Sequence, residues 1–270
     1  MENLINRIEK PVDTTGTYVG EDGLLYCFTC GTARQTKINI FGKERVVTCL
    51  CRCEAEKRDA VERRAIEDAI ELNRLKCFRH KRQHTYTFEN DDGGKPNLTR
   101  FCKRYVENFG ENFKQGKGIL LTGSYGTGKS YMAACIANAL IDSGKRVLYT
   151  DFPTLCMNLG NEFTGEKAEN LNLLNSYSLL VIDDLGVERE TPSMVENVYS
   201  VINGRYESGK PMIITTNLTI EELRNTKSPS LARIYDRVLE RSYVISLDGE
   251  SRRQANTDRL QQEAIEIMKF

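Results

Sequence analysis

Length, composition and charge already restrict what this chain can be. It has 270 residues, of which 40% are hydrophobic, and this is enough apolar material for one full domain and a smaller accessory one. The 38 basic and 38 acidic side chains give a formal net charge of zero, which excludes a uniformly basic nucleic-acid-binding surface. Any contact with nucleic acid must therefore come from a local patch.

No segment of the sequence has the pattern of a membrane span or a secretory leader. Apolar runs stay well short of the roughly 20 residues that cross a bilayer. The first residues, MENLINR, lack the apolar stretch of a signal peptide. We therefore expect a cytoplasmic protein with no membrane partner. In that reducing compartment, clustered cysteines are expected to bind metal rather than form disulfides.

Five of the nine cysteines are clustered near the N-terminus, and this clustering predicts a small zinc module. Cys27 and Cys30 form a C-x-x-C knuckle, followed by a glycine that lets the backbone turn. Alternating residues at 36–40 and 44–48 predict a hairpin around residues 41–43. Because four thiolates on one Zn²⁺ leave no open coordination position, the predicted site is structural.

Cys49, Cys51 and Cys53 compete for the two remaining ligand positions. Cys51 and Cys53 are favoured because they lie nearest the start of the next predicted helix, where the helix dipole stabilises thiolates, and Cys49 is the reserve ligand. The alternatives are that these cysteines are small buried hydrophobic residues or a redox group. A module with so few apolar residues is expected to need the metal in order to fold.

A charged segment without proline or glycine follows the cysteines. Its apolar residues recur at helical spacing and predict a helix from residue 54 to about 84, ending in a basic run at 74–82. That run could bind a DNA backbone, but the solvated end of a helix is the favoured interpretation. Turn formers at 91–96 indicate a linker. We predict an N-terminal zinc-binding module over 1–85, a linker over 86–98 and a second domain over 99–270.

The second domain alternates between short apolar runs and helical patterns. The strands are predicted at 118–122, 146–150, 179–182, 212–216 and 243–247, and the helices at 129–141, 155–174, 192–206 and 231–239. Continuous apolar strands that alternate with helices indicate a parallel sheet covered on both faces. The predicted fold class is therefore α/β.

A complete G-x-x-x-x-G-K-[ST] motif lies directly between a predicted strand and a predicted helix. It consists of Gly123, Ser124, Tyr125, Gly126, Thr127, Gly128, Lys129 and Ser130. Such a loop surrounds phosphates with backbone N–H groups, its lysine reaches the β and γ oxygens, and its serine hydroxyl can ligate Mg²⁺. The motif predicts that the chain binds a nucleotide, and a chance glycine-rich turn is strongly disfavoured.

Two further polar groups are predicted at the same sheet edge. Asp183 and Asp184 follow a buried strand, so Asp183 is expected to hold Mg²⁺ and Asp184 to orient or deprotonate the attacking water. The alternative is a capping residue beside a solvated one. Asn217 follows another predicted strand. If that strand neighbours the phosphate-loop strand, the Asn217 amide could hold the water or the γ-phosphate. The alternative is that Asn217 simply belongs to a turn.

Together these motifs resemble the AAA+ ATPases of the DnaC/DnaI helicase-loader type, a group that includes the IstB transposition helpers. The similarity covers about residues 99–255. It rests on the phosphate loop, LVIDDLG at 180–186, IITTN at 213–217, RIYDR at 233–237 and SRR at 251–253. The resemblance implies a P-loop AAA+ domain with helices flanking a parallel sheet, joined here to a small N-terminal zinc-binding domain of the kind found in compact phage-type loaders.

The resemblance also implies roles for individual residues. Asn217 corresponds to sensor one, Arg237 to the arginine finger that completes a neighbouring subunit's site, and Arg253 to sensor two. The alternative for each arginine is an ordinary surface ion pair. Most AAA+ enzymes have Asp-Glu where this chain has Asp183 and Asp184, and the shorter Asp184 is expected to make hydrolysis slow and dependent on a partner or DNA.

The function implied by this resemblance is ATP-dependent loading of the replicative hexameric helicase onto single-stranded DNA in the cytoplasm of a bacterium or a phage-infected host. The expected partners are the helicase, single-stranded DNA and further copies of this chain, and the expected cofactors are ATP, Mg²⁺ and Zn²⁺. Two alternatives remain open. One is an IstB-like transposase helper ATPase, and the other is a non-catalytic adaptor that binds ATP and zinc.

Overall fold

The computed structural model describes residues 15–159, 166–186, 191–249 and 251–269. The first 14 residues of the predicted zinc module, and residues 160–165 of the predicted helix at 155–174, lie outside this part. By its internal contacts the chain divides into two compact units, residues 1–69 and 70–270. Among the described residues, no helix is both long enough and apolar enough to cross a membrane.

The first unit contains two antiparallel hairpins. Strands β1 (Thr17–Val19) and β2 (Leu25–Cys27) form one, and β3 (Gln35–Ile40) and β4 (Lys43–Thr48) form the other. The second hairpin confirms the prediction at 36–48, and Gly42 completes its turn with a positive φ of 79°. The first hairpin was not predicted, because three residues are too few to establish an alternating pattern.

Helix α1 (Arg52–Cys77) follows the cysteines, as predicted, but ends earlier than residue 84. A separate 3₁₀ helix covers Lys81–Thr85. The difference arises from tertiary packing, since the buried side chains of Cys77 and Phe78 belong to the core of the second unit. The basic run at 74–82 is therefore split between the end of α1 and the 3₁₀ helix.

The division between the units falls between Ala69 and Ile70, whereas the sequence predicts a first domain to residue 85 and a linker over 86–98. Ile70 packs against the core of the second unit, and so do Tyr86 and Phe88 from the predicted linker. This segment is therefore part of the second unit, because its aromatic side chains are buried there and cannot serve a solvated linker.

Five strands form one parallel sheet in the second unit, as the sequence predicts. They are β5 (Gly118–Thr122), β6 (Val147–Asp151), β7 (Leu179–Leu185), β8 (Met212–Thr216) and β9 (Ser242–Ser246). Their order across the sheet is β6-β7-β8-β5-β9. Strand β8 thus lies between the phosphate-loop strand β5 and the aspartate strand β7, and the carboxyl ends of all five strands share one edge.

Helices cover both faces of this sheet. In chain order they are α2 (Pro96–Glu107), α3 (Phe109–Gln115), α4 (Lys129–Asp142), α5 (Phe152–Asn158), α6 (Glu166–Ser176), α7 (Pro192–Glu207), α8 (Ile220–Arg224), α9 (Pro229–Glu240) and α10 (Arg252–Met268). The helices predicted at 129–141, 192–206 and 231–239 are confirmed. Helices α2, α3, α8 and α10 were not predicted.

Alternate side chains of the central strands enter two separate hydrophobic cores. Ile119 and Leu121 of β5 lie in one core with helix α4, while Leu120 lies in the other with α7 and α9. The side chains of β7 and β8 alternate between the two cores in the same way. Because both faces of the sheet are covered, all five residues of β5 and all five of β8 are buried. The sheet is therefore a rigid base, and its carboxyl edge carries the polar residues described below.

Candidate functional site

The phosphate-binding loop at 123–130 connects β5 to α4, as the motif requires. Gly123, Gly126 and Gly128 have φ values of 126°, 76° and 98°, a region that side-chain-bearing residues rarely adopt. Space is also limiting, since a Cβ on Gly123 would lie 2.3 Å from the Leu247 carbonyl oxygen. Glycine at these positions therefore allows the backbone to curl, and the loop leads into the first turn of α4.

Lys129 is buried in this loop and its ammonium group is fully hydrogen-bonded. It donates to the carbonyl oxygens of Gly123 (2.7 Å) and Ser124 (2.8 Å) and to Asn217 Oδ1 (2.8 Å). Burial lowers the pKa of Lys129, while Asp184 and Asp183 oppose that shift. The contact with Asn217 shows that the ends of β5 and β8 meet, as the interpretation of Asn217 requires.

The start of helix α10 lies against the phosphate loop. The Arg252 N–H donates to the Gly126 carbonyl oxygen (3.0 Å), and a Cβ on Gly126 would lie 2.0 Å from Ser251 Oγ. The next residue, Arg253, is exposed, and its charge acts on the pKa of both Lys129 and Asp184. The structure therefore brings Arg253 to the site, whereas Arg252 pairs with Asp92 at 3.0 Å.

Asp183 is held through both oxygens of its carboxylate. Tyr149 of β6 donates its hydroxyl proton to Oδ2 (2.8 Å), and Thr215 of β8 donates to Oδ1. Thr215 lies within the IITTN motif, but its role was not predicted, and Tyr149 was not singled out at all. The sequence signal for both is their position near the carboxyl ends of strands that flank β7, which becomes readable only once the strand order is known.

Asp184 differs from its neighbour in backbone and surroundings. Its φ is 58°, in the left-handed region, where the register of β7 against β8 shifts, and its N–H donates to Thr215 Oγ1 (2.9 Å). Partial burial, followed by the charge of Asp183, raises the pKa of Asp184; Lys129 and Arg253 oppose this. A carboxylate with a raised pKa at the edge of a phosphate site suits a general base.

Arg237, the predicted finger, is not part of this group. Its guanidinium lies over the rings of Tyr199 (5.1 Å) and Tyr206 (5.6 Å) of α7 and donates to the Arg233 carbonyl oxygen (3.2 Å). Arg233, four residues earlier on α9, is exposed. A residue that acts on a neighbouring subunit need not contact its own phosphate loop, so this placement leaves the predicted role of Arg237 untested.

A second candidate site lies in the first unit. The sulfur atoms of Cys27, Cys30, Cys51 and Cys53 all lie within 4.8 Å of one another. The Cys27–Cys53 and Cys51–Cys53 distances are 3.7 and 3.4 Å. Cys49 Sγ instead donates to the Ala33 carbonyl oxygen (3.4 Å). The structure thus groups the four cysteines that the sequence favours and separates the reserve ligand from them.

The geometry and chemistry of this cluster fit Zn²⁺. Four sulfurs at about 2.3 Å from a tetrahedral ion are about 3.8 Å apart, close to the distances between these thiols. The Thr32 hydroxyl and nearby backbone N–H groups lower the pKa of Cys30 to about 5, whereas the neighbouring thiols raise that of Cys53 to about 12. A divalent cation would stabilise all four thiolates together.

Comparisons with known proteins identify the family of this chain. The sequence profile of the IstB-like ATP binding protein family matches residues 22–260. The replicative helicase loader DnaI of Bacillus subtilis (strain 168) is 29% identical over 167 residues, which are 58% of this chain and 52% of that protein. The replicative helicase loader DnaC of Buchnera aphidicola subsp. Schizaphis graminum is 30% identical over 174 residues, 63% of this chain and 68% of that protein.

The solved structures include a crystal structure of DnaI, with a TM-score of 0.53 and 28% sequence identity, which covers 65% of this chain and 95% of that chain. This chain spans about half the length of the Bacillus relative and about two thirds of the Buchnera one. The matched range, residues 22–260, spans most of both units. The chain therefore belongs to the IstB-like ATP binding protein family, and its named relatives are helicase loaders of the DnaC/DnaI type.

Proposed function

We propose that this protein is a slow ATPase that loads the replicative hexameric helicase onto single-stranded DNA. The observation that carries the proposal is the grouping of Lys129, Asn217, Asp183 and Asp184 along one sheet edge beside a complete phosphate loop. Their arrangement supports hydrolysis as well as binding, and the names of the relatives supply the helicase and the loading step. We propose that the protein acts in the cytoplasm of a bacterium or of a phage-infected host.

Each residue has a distinct task in this proposal. Backbone N–H groups of 123–130 and the Lys129 ammonium bind the β- and γ-phosphates. Ser130 and Asp183 would hold Mg²⁺, which neutralises charge on the phosphate oxygens when bound. Asp184 orients the attacking water and accepts its proton, with Asn217 fixing that water or the γ-phosphate. Arg253 contacts the γ-phosphate within its own subunit.

We further propose that ATP promotes a homo-oligomer, alone or on the helicase, in which Arg237 reaches the neighbouring subunit's nucleotide. A planar cationic donor is suited to the charge that develops on phosphoryl oxygens. The first unit, with Zn²⁺ on Cys27, Cys30, Cys51 and Cys53, would bind the helicase. Exposed Phe28 and the fully exposed Phe41 give this module an apolar surface for a protein partner.

The decisive experiment uses the full-length protein with the replicative helicase purified from the same cell. We expect a complex in pull-downs, and ATP-dependent assembly of the helicase on circular single-stranded DNA. Lys129→Ala should lose nucleotide binding and loading, while the exposed-site control Lys114→Ala should behave as wild type. A helicase that neither binds the protein nor loads better in its presence would refute the loader proposal, even if phosphate release is normal.

A second candidate is supported by the matched family itself, which is described by IstB-like proteins. In that case the same ATPase would act on a transposase. The experiment above separates the two: ATP-dependent binding to a transposase encoded beside the gene, without helicase binding, would favour this alternative. A non-catalytic adaptor would instead show equal, negligible phosphate release for wild type and Asp184→Asn, with or without single-stranded DNA.

A further inference from the structure

We propose that Tyr149 and Thr215 are positioning residues for ATP hydrolysis, which hold the Asp183 carboxylate in the orientation needed to bind Mg²⁺. The proposal rests on the ATPase function proposed above and adds two residues to its site. Neither side chain belongs to the phosphate loop or to the aspartate pair. Both act through Asp183 and not on the nucleotide directly.

The first argument is the symmetry of the contacts around β7. This strand has β6 on one side and β8 on the other, and each neighbour supplies one hydroxyl to a different oxygen of the same carboxylate. Two donors on opposite sides prevent the carboxylate from rotating about its Cβ–Cγ bond. Each oxygen keeps a second lone pair with which it would accept a hydrogen bond from a water ligand of the metal.

The second argument is that Tyr149 is itself fixed. Its side chain is only 5% exposed, and its ring packs against Phe78 with a centroid distance of 5.6 Å. A tyrosine hydroxyl is protonated throughout the physiological range, so it remains a donor to Asp183. A rigid, permanently protonated donor is what a positioning contact requires.

The third argument is the contrast with Asp184. Thr215 accepts a hydrogen bond from the Asp184 backbone N–H while it donates to Asp183. One buried hydroxyl therefore fixes the backbone of Asp184 and the carboxylate of Asp183. The Asp184 side chain, in turn, is exposed at the edge of the site. The Asp183 carboxylate is thus held in one orientation, suited to a metal ion, whereas the Asp184 carboxylate can adjust to the position of the attacking water. The simpler explanation is that Asp183 merely satisfies a buried tyrosine hydroxyl, which also lies 3.3 Å from the Ser130 carbonyl oxygen.

The test compares Tyr149→Phe with Tyr105→Phe in the full-length protein. Tyr105 is a matched control because it is equally buried and donates its hydroxyl proton at 2.8 Å to the Lys117 carbonyl oxygen, away from the site. Affinity for a fluorescent ATP analogue is measured in EDTA and in a Mg²⁺ titration, and phosphate release is measured across the same titration. Thermal unfolding checks that both variants are folded.

We expect Tyr149→Phe to bind the analogue in EDTA within twofold of wild type. The Mg²⁺ concentration at half effect should rise about tenfold or more, and phosphate release at saturating ATP should fall by a similar factor, because outer-shell contacts typically contribute 10- to 100-fold. Thr215→Val should change the titration in the same direction, and Thr215→Ser, which keeps the hydroxyl, should restore it. Tyr105→Phe should match wild type.

A Mg²⁺ midpoint for Tyr149→Phe and Thr215→Val within twofold of Tyr105→Phe would overturn the proposal and leave both hydroxyls with a structural role only. The binding measurement separates this outcome from failure of the proposed function. If wild type binds the analogue with a Mg²⁺ effect but releases no phosphate, the ATPase proposal fails while the positioning contacts are still measured. If Mg²⁺ does not alter wild-type binding, the positioning proposal is refuted as well.

Discussion

The two units of this protein are stabilised in different ways, although one helix begins in the first and ends in the second. In the second unit, every residue of β5 and β8 is buried, and two hydrophobic cores cover the sheet. In the described residues 15–69, the only buried hydrophobic residues are Cys27 (5% exposed) and Cys51 (1%), and both belong to the cysteine cluster.

This comparison teaches where each site obtains its rigidity. The phosphate site lies at the edge of a packed sheet, so its geometry exists before any ligand binds. The cysteine cluster has no comparable support, because apolar side chains such as Phe41 lie at the surface of its hairpins. A unit of this size with so little buried apolar area requires another source of free energy, and four thiols on one metal ion would supply it.

Metal removal should therefore unfold the first unit and leave the second unit folded, and this is the largest effect that we expect. Structural Zn²⁺ contributes about 10–16 kcal/mol in zinc-finger peptides at neutral pH. Chelation of the full-length protein should abolish hydrogen-exchange protection in β1 to β4, while the protection of β5 to β9 remains. Added Zn²⁺ should reverse the loss. Persistent protection of β3 and β4 in metal-free protein would contradict the comparison.

Asp184→Asn should reduce turnover by about 10²–10⁴-fold, the usual contribution of a general base. Nucleotide affinity should be retained, since the phosphate loop and Lys129 are unchanged. Asp68→Asn, an exposed aspartate of α1, serves as the control. Single-turnover phosphate release and equilibrium binding measure the two quantities separately. Turnover equal to that of the control would show that Asp184 is a solvated residue with no part in hydrolysis.

The pH dependence of turnover should report the same residue. Partial desolvation raises the pKa of Asp184, so this carboxylate takes up its proton at a higher pH than a fully solvated aspartate does. Phosphate release should consequently fall severalfold as the pH decreases through this raised value, at a pH where ATP binding is still constant. Identical acid limbs for turnover and for binding would indicate that another group controls the reaction.

A pair of leucines compares the packing of the two units directly. Leu120 of β5 is fully buried, and Leu120→Ala should cost about 2–5 kcal/mol because it leaves a cavity between sheet and helices. Leu50, beside the cysteines, is 48% exposed, and Leu50→Ala should change stability by less than about 0.5 kcal/mol. Urea unfolding followed by circular dichroism gives both values. Comparable losses would mean that the first unit also depends on packing.

The same contrast explains what the sequence could and could not predict. The phosphate loop and the aspartate pair are contiguous segments with obligatory neighbours, a strand before and a helix or turn after, so local pattern suffices. Asn217 required one further fact, that β8 lies beside β5, and the structure provides it. Tyr149 required the complete strand order, because its strand is distant in sequence from both aspartates and its pattern alone indicates a core residue.

The elements that were missed or misplaced are those set by tertiary contacts. Helix α1 ends at Cys77 because the following residue is buried beside Tyr149, and nothing in the charged pattern of α1 announces this change. Helix α10 has apolar residues at helical spacing, such as Leu260 and Ile267, but they are exposed in this chain, and the segment was not predicted to be a helix. The cysteine cluster was easier, since spacing and proximity to a helix start already favoured Cys51 and Cys53.

The smallest expected effect belongs to the fifth cysteine of the first unit. Cys49→Ser should retain one Zn²⁺ per chain and change stability by less than about 0.5 kcal/mol, because Cys49 Sγ donates to the Ala33 carbonyl oxygen, to which a serine hydroxyl can also donate. Cys51→Ser should lose the ion, since Cys51 is buried within the cluster. Metal analysis of both purified variants decides between them. If Cys49→Ser lost zinc and Cys51→Ser retained it, Cys49 would be a ligand in place of Cys51. Proximity to the helix start would then not determine which cysteines bind the ion.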